Sequence, residues 1–194
     1  MFRHSGVLDM EKTSLGPRPY MTTMPAVLVG SNVNGKPNYM TVAWTGVACM
    51  EPPMIAVAIN KARYTEKGIL ENKTFSVNIP SAKDAVVMDH CGMVSGSKVD
   101  KSSFFDSFYG KLKTAPMIDD FPVNIECELR HTLELGSHHL HVGEIVDVHV
   151  ANECLTGGVP DSGKIDPIVF SGQNYCHIGE VIGKAFSIGK GFKK

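Results

Sequence analysis

The chain has 194 residues, 43% of them hydrophobic and 20% charged, with a formal net charge of −1. That length supports one domain, residues 1–194, with a core large enough to need no staples. Near-zero net charge argues against a general nucleic-acid or anionic-membrane binder, and the longest apolar runs, such as 53–59, are far too short to span a bilayer. The opening residues, MFRHSGVLDMEKTSLG, carry no apolar core of signal-peptide type, so a cytoplasmic protein is expected.

Pro17 and Pro19 bar an early helix, so residues 1–17 are expected to form an extended arm ending at Arg18 and Tyr20. Residues 26–31 are apolar and predict a strand, and Asn34-Gly35 predicts a tight hairpin into a second strand over 39–48. On that strand Thr41, Ala43 and Thr45 share one face, with Val42, Trp44 and Gly46 on the other. Small residues on one face allow a planar ring to approach the backbone. Pro52-Pro53 ends the run, and 54–59 predicts the next strand. The turn 60–64 leads to Thr65, read as the N-cap of a helix over 66–72, followed by a strand over 74–79. A helix start presents unpaired N–H groups and a positive dipole end, which suits a phosphate.

Ser81-Ala82-Lys83-Asp84 fits a capping box opening a second helix to about His90. Glycines and serines predict a loop over 91–101, then a short aromatic helix over 103–109, and Pro116 and Pro122 bracket another loop. Residues 123–135 alternate strictly, with Val123, Ile125, Cys127 and Leu129 on one side and Asn124, Glu126, Glu128 and Arg130 on the other, the pattern of a half-buried antiparallel strand. Gly136-Ser137 turns the chain into a strand over 139–151, whose apolar phase Glu144 breaks. A short strand over 168–171 and a glycine-punctuated tail over 175–186, expected to pack over the barrel or a partner, complete the reading, with 187–194 as a terminal tail. Strands dominate, and a nearly closed antiparallel barrel removes exposed sheet edges.

The ordered set Asn38-x-x-Thr41, Pro52-Pro53, Thr65 and Phe75-x-Val77-Asn78 resembles the flavin reductase-like, FMN-binding split-barrel family. Cys91-Gly92-Met93-Val94-Ser95-Gly96 and Asp100-Lys101 are similar to its flavoredoxin branch. The resemblance spans about residues 18–186 and implies a mainly β fold, an antiparallel, Greek-key-like split β-barrel with a few short helices. It implies FMN as cofactor, NAD(P)H or a small redox protein as electron partner, and a homodimer. Met40, Thr41, Val42, Ala43 and Trp44 would then line the flavin ring, with backbone groups and the Thr41 hydroxyl at its pyrimidine edge. Such donors stabilise the negative charge that builds on reduction. Cys49 occupies a position near the phosphate where the family often carries Ser, which leaves a backbone N–H as the strong donor there. Arg63, Tyr64 and Thr65 supply the charge, hydroxyls and helix start for a dianion. Lys101 is either a second cation or a solvated lysine. His138, in Ser137-His138-x-Leu140, matches a family histidine near the flavin; its reading is divided between placing a nicotinamide or reacting group and bonding at the hairpin corner.

The five cysteines form no CxxC pair, which argues against a zinc knuckle or disulfide scaffold. Cys91 reads either as a reactive thiol in a polar loop or as a packing residue. His139 and His141 point to the same side of a strand, but no third ligand is legible, and no metal site is expected. The match of residues 158–164 to G-x-x-x-x-G-K fails as a phosphate loop, because Ile165 replaces the Ser/Thr and Pro160 deletes an N–H. No G-x-G-x-x-G follows a strand, so a Rossmann domain is not expected. The rival readings are a non-enzymatic split barrel holding haem or another ligand, and a metalloprotein using His138, His139 and His141.

Overall fold

The computed structural model describes residues 10–192. Its centre is a seven-stranded antiparallel sheet. The strands are β1 (Val27–Val33), β2 (Lys36–Val42), β3 (Thr45–Cys49), β4 (Met54–Asn60), β5 (Thr74–Ile79), β6 (Val123–Leu135) and β7 (His138–Val150). Helix α1 (Tyr64–Asn72) links β4 to β5, and α2 (Ala85–Met93) follows β5. The strand order is β2-β1-β5-β6-β7-β4-β3.

The run expected as one strand over 39–48 divides at Ala43-Trp44, and the division explains the barrel. Val42 pairs with Val27 on β1, whereas Thr45 pairs with Val57 on β4. The main chain hands over between them, with Ala58 N–H donating to Trp44 O at 2.8 Å. Thus β2 and β3 are the two edges of the sheet although only two residues separate them. Three Cα–Cα steps span at most about 11 Å, so the edges must lie side by side and the sheet must curl. The curl encloses one apolar cluster to which β1, β2, β4, β5 and β6 all contribute, including Val29, Met40, Val57, Phe75 and Cys127, with Ile69 of α1. The arrangement is the split antiparallel barrel, with its split between β2 and β3.

The first hairpin forms as the Asn34-Gly35 turn predicts, both residues taking positive φ (52° and 75°). Helix α1 begins at Tyr64 rather than Glu66: Arg63 is the N-cap residue, with no side-chain cap hydrogen bond, so Thr65 lies inside the first turn. The Ser81/Asp84 capping box is present, but it closes a short 3-10 turn before α2. That helix runs on to Met93, so Cys91 and Gly92 are helical rather than in a loop. The aromatic helix expected over 103–109 is instead a 3-10 turn, Lys101–Phe104, and a short strand, Ser107–Phe108, paired with Met117–Ile118.

These short elements cover the outer face of the sheet and overturn the half-buried reading of β6. Its polar residues Asn124 and Glu126 are buried. Asn124 Nδ2 donates to Asn78 Oδ1 and Ile118 O, each at 2.9 Å. The Glu126 carboxylate accepts from Leu112 N–H at 2.7 Å and Lys111 N–H at 3.2 Å, and faces His149 Nε2 at 2.9 Å. A second apolar cluster, with Leu28, Tyr39, Met88, Phe105 and Ile118, lies in the same layer. Only the distal half of β6 projects into solvent, residues 130–135 being exposed on both faces. There Glu144 finds its explanation: Arg130 Nε donates to its Oε2 at 2.9 Å, while the same guanidinium pairs with Glu128 at 3.0 Å.

The last strand of the reading appears as Val169–Ser171, in a small sheet with Met24–Pro25 and Asn174–Cys176. Every described residue from Gly172 onward is exposed, and the tail meets the body near its start, where Tyr175 Oη donates to Asp89 Oδ1 and His177 Nδ1 faces Asp166 Oδ1, each at 2.8 Å. Of the N-terminal arm, residues 1–9 lie outside the described residues, and residues 10–17 are exposed. Residues 158–164 form an exposed strand-and-turn segment in which Asp161 Oδ1 accepts from Gly163 N–H, and the turn stops at Asp166 in the left-handed region.

Gly143 sits at a register shift between β6 and β7. A Cβ there would stand 2.6 Å from the Phe75 ring and 2.9 Å from Cys127 Cβ. Gly143→Ala is therefore expected to lower unfolding free energy by about 1–3 kcal/mol, measured by denaturant titration. Burial raises the Glu126 pKa, but the bonds from Leu112, His149 and Lys111 outweigh it and hold the carboxyl below its ordinary value. The folded state thus binds fewer protons than the unfolded one, so this stabilisation is present above the ordinary carboxylate pKa and is lost as pH falls through the depressed one. Glu126→Gln should flatten that acid limb in melting temperatures recorded from pH 7 down to about pH 3.

Candidate functional site

A cleft of about 370 Å³ opens where β2, the start of α1, the end of α2 and the 94–101 loop meet, within the size range of small-molecule sites. Met40 and Thr41 form one wall, Arg63, Tyr64 and Thr65 a corner, and Cys91 to Gly96 with Lys101 the opposite side. Among the described residues no carboxylate lines it, whereas Arg63 and Lys101 both do. The corner is the first turn of a nine-residue helix without a side-chain cap. Its leading N–H groups and dipole therefore add positive potential to two cations. Such a site favours an anion.

Two of the corner residues, Tyr64 and Thr65, are held by side-chain hydrogen bonds. Asn38 Nδ2 donates to Thr65 Oγ1 at 2.6 Å, and Asn34 Nδ2 to Tyr64 Oη at 3.3 Å. Lys101 is only 3% exposed, so it is not a solvated lysine. Its Nζ donates to Cys91 O at 2.6 Å and Tyr39 O at 3.0 Å, leaving one of three N–H donors unused by these bonds. Burial pushes the Lys101 pKa below the ordinary lysine value, with Cys91 opposing and Arg63 reinforcing the fall. The Cys91 thiol is buried and pushed up to about 11 by that burial, against the pull of Lys101. It is a packing residue in the protonated state at neutral pH, not a reactive thiol.

The cleft brings together Met40, Thr41, Arg63, Tyr64, Thr65 and Lys101 of the residues singled out from the sequence. Thr41 Oγ1 donates to Met88 O at 2.5 Å, so its proton is committed to α2 while its lone pairs remain. Val42 faces the core, which leaves only its backbone for a ligand. Cys49 stands on β3, outside the lining, with its thiol on Glu51 O at 3.4 Å. Ala43 and Trp44 border a separate, apolar recess of about 530 Å³ with Pro19, Tyr20, Met21 and Met24. His138 lies between the two hollows. It pairs in register with Asn60, a residue of the cleft, and its ring lies 4.9 Å from that of Trp44, tilted by 32°.

Ser95 of the lining carries no signal of its own in the sequence, because a serine in a loop has many ordinary roles. Gly96 carries a clearer signal in three dimensions: a Cβ there would collide with Asn38 Oδ1 and stand 2.7 Å from the Tyr64 ring. The loop thereby closes down on the corner. A third group, behind the corner, was hidden because its members are far apart in sequence. Glu66 on α1 faces His139 Nδ1 at 2.5 Å and His141 Nε2 at 2.8 Å on β7.

The model of the flavin reductase like domain matches residues 20–179, and the chain belongs to this family. Among solved structures it is similar to flavoredoxin from Methanosarcina acetivorans, at 41% identity and a TM-score of 0.91 over 93% of this chain and 98% of that one. Flavoredoxin of Desulfovibrio vulgaris (Miyazaki F) is 39% identical with a TM-score of 0.86, covering 93% and 100%. An FMN-binding protein from Thermus thermophilus, 23% identical with a TM-score of 0.77 over 90% and 99%, shares the fold.

Proposed function

We propose that the chain is an FMN-binding flavoprotein that transfers electrons, the flavin phosphate lying in the Arg63–Thr65 corner and the ring running along β2. The observation that carries this reading is the carboxylate-free cleft in which Arg63, Lys101 and an uncapped helix start converge beside a strand edge. A dianionic phosphate fits that donor set, and an adenine is not required to fill a cleft of this size. When bound, the flavin supplies hydride and single-electron chemistry. The chain's own residues bind and orient: Arg63 and the helix N–H groups hold the anion, Asn38 keeps the Thr65 hydroxyl turned into the corner, and Lys101 places positive charge at the β2–α2 seam. His138, packed against Trp44 between the cleft and the apolar recess, is suited to positioning an incoming donor.

Flavoredoxins among the similar structures support a redox protein as electron partner, and the absence of a Rossmann motif in the sequence favours transient rather than resident NAD(P)H. A homodimer belongs to the same reading: the Trp44 recess and the tail residues Val181, Ile182 and Phe186 expose apolar surface that a second copy would cover. A cytoplasmic setting accords with five unpaired cysteines, and among the described residues no helix is long and apolar enough to cross a membrane.

The purified protein is expected to show flavin absorption bands; a Soret band would instead indicate haem. Arg63→Ala and Thr65→Ala each remove a hydrogen bond to a charged group, about 1.5–3 kcal/mol, and should weaken FMN binding roughly ten- to a hundredfold in fluorescence titrations. Unchanged affinity in the double variant overturns the phosphate corner. Anaerobic NADH then separates the two donors, since rapid bleaching marks a reductase and a persistent yellow colour marks a protein partner. Light scattering coupled to gel filtration should give the mass of two chains, and a monomer mass refutes the dimer.

A further inference from the structure

The Glu66, His139 and His141 group lies outside the flavin cleft and has a different chemistry. His139 and His141, two residues apart on β7, project to one side, their ring centroids 5.7 Å apart. Glu66 meets them from the first turn of α1, each carboxylate oxygen facing one imidazole nitrogen. One donor atom from each of the three lies within 4.8 Å of the others. His141 is fully buried and Glu66 nearly so. The remaining ring nitrogen of His141, Nδ1, stands 3.0 Å from Thr132 Oγ1, the kind of outer contact that fixes the ring of a metal-bound imidazole.

The comparison with Glu126 is informative. That buried carboxylate is satisfied mainly by two backbone N–H groups, with one histidine added. Among the described residues no backbone N–H donates to the Glu66 carboxylate, and its partners are two metal-binding side chains. From these features we infer that Glu66, His139 and His141 form a binding site for one divalent transition-metal ion, zinc by preference. Two imidazoles and a carboxylate match the donor set of a three-ligand zinc site with an open fourth position. His139, the partly exposed member, marks the entrance, where water completes a tetrahedron; Glu134, its register partner on β6, is engaged by Lys61. With metal–ligand bonds of about 2.0–2.1 Å, the donors must spread by roughly 0.5–0.9 Å. Binding displaces the protons now shared between carboxylate and imidazoles. His138, turned onto Trp44, takes no part. Because Glu66 follows Thr65 directly, the ion would clamp the first turn of α1 to β7 and stiffen the corner of the cleft.

The test uses the full-length protein stripped with a chelator, titrated with zinc(II) against a chromophoric competitor and separately with cobalt(II). One equivalent of zinc is expected, with cobalt giving the intense visible absorption of a four-coordinate site. Glu66→Gln and His139→Gln should abolish stoichiometric binding, and Thr132→Val should weaken it about 10–100-fold. His139→Gln, at the partly exposed position, decides the matter if Glu66→Gln fails to fold, with folding checked by melting temperature. Wild-type protein that binds less than one equivalent, or a folded His139→Gln variant that retains wild-type affinity, overturns the assignment.

Discussion

Two neighbouring residues, Ala43 and Trp44, separate the strands that form opposite edges of a seven-stranded sheet. A flat sheet of that width would hold its edges several strand spacings apart, at about 4.8 Å each. The chain cannot reach that far in three Cα–Cα steps, so the sheet has to roll up. Rolling places the apolar faces of β1, β2, β4 and β5 around one core. It also leaves an unpaired seam beside β2, against which α1, α2 and the 94–101 loop assemble the cleft.

The second layer follows from the same curvature. With the inner face of the sheet closed on itself, α2 and the 101–121 segment lie on the outer face of β1, β2, β5 and β6. Polar strand residues caught beneath them must then be hydrogen-bonded, because an unpaired buried polar group costs about 1–3 kcal/mol. Ser76, Asn78, Asn124 and Glu126 all find partners in that layer. Lys101 does the same at the cleft, its ammonium joining β2 to the end of α2 through two carbonyls. Polar chemistry within this layer is therefore also what holds the cleft together.

Much of the architecture was legible in the chain. The Asn34-Gly35 hairpin, the strands at 54–59, 74–79 and 123–135 and the capping box at Ser81 each rest on local chemistry, and local chemistry decides them. The grouping of Arg63, Tyr64 and Thr65 at one corner of the cleft was legible for the same reason, since a charged, hydroxyl-bearing turn before a helix is a local pattern. Trp44, Cys49 and Val42 stand elsewhere because their positions depend on where the strand breaks and which edge each half joins. Lys101 read as ambiguous because one residue's burial depends on what folds over it. The partner of the two histidines, 73 and 75 residues away, had no local signal at all.

By itself the sequence determined periodicity, turns and family, since these are written in residues within one or two turns of each other. Tertiary structure alone decided which polar face was covered, which lysine was buried, and that Glu66 stands between His139 and His141. Those outcomes arise from the curl of the sheet, which brings distant segments within hydrogen-bond reach without leaving any pattern in the order of the residues.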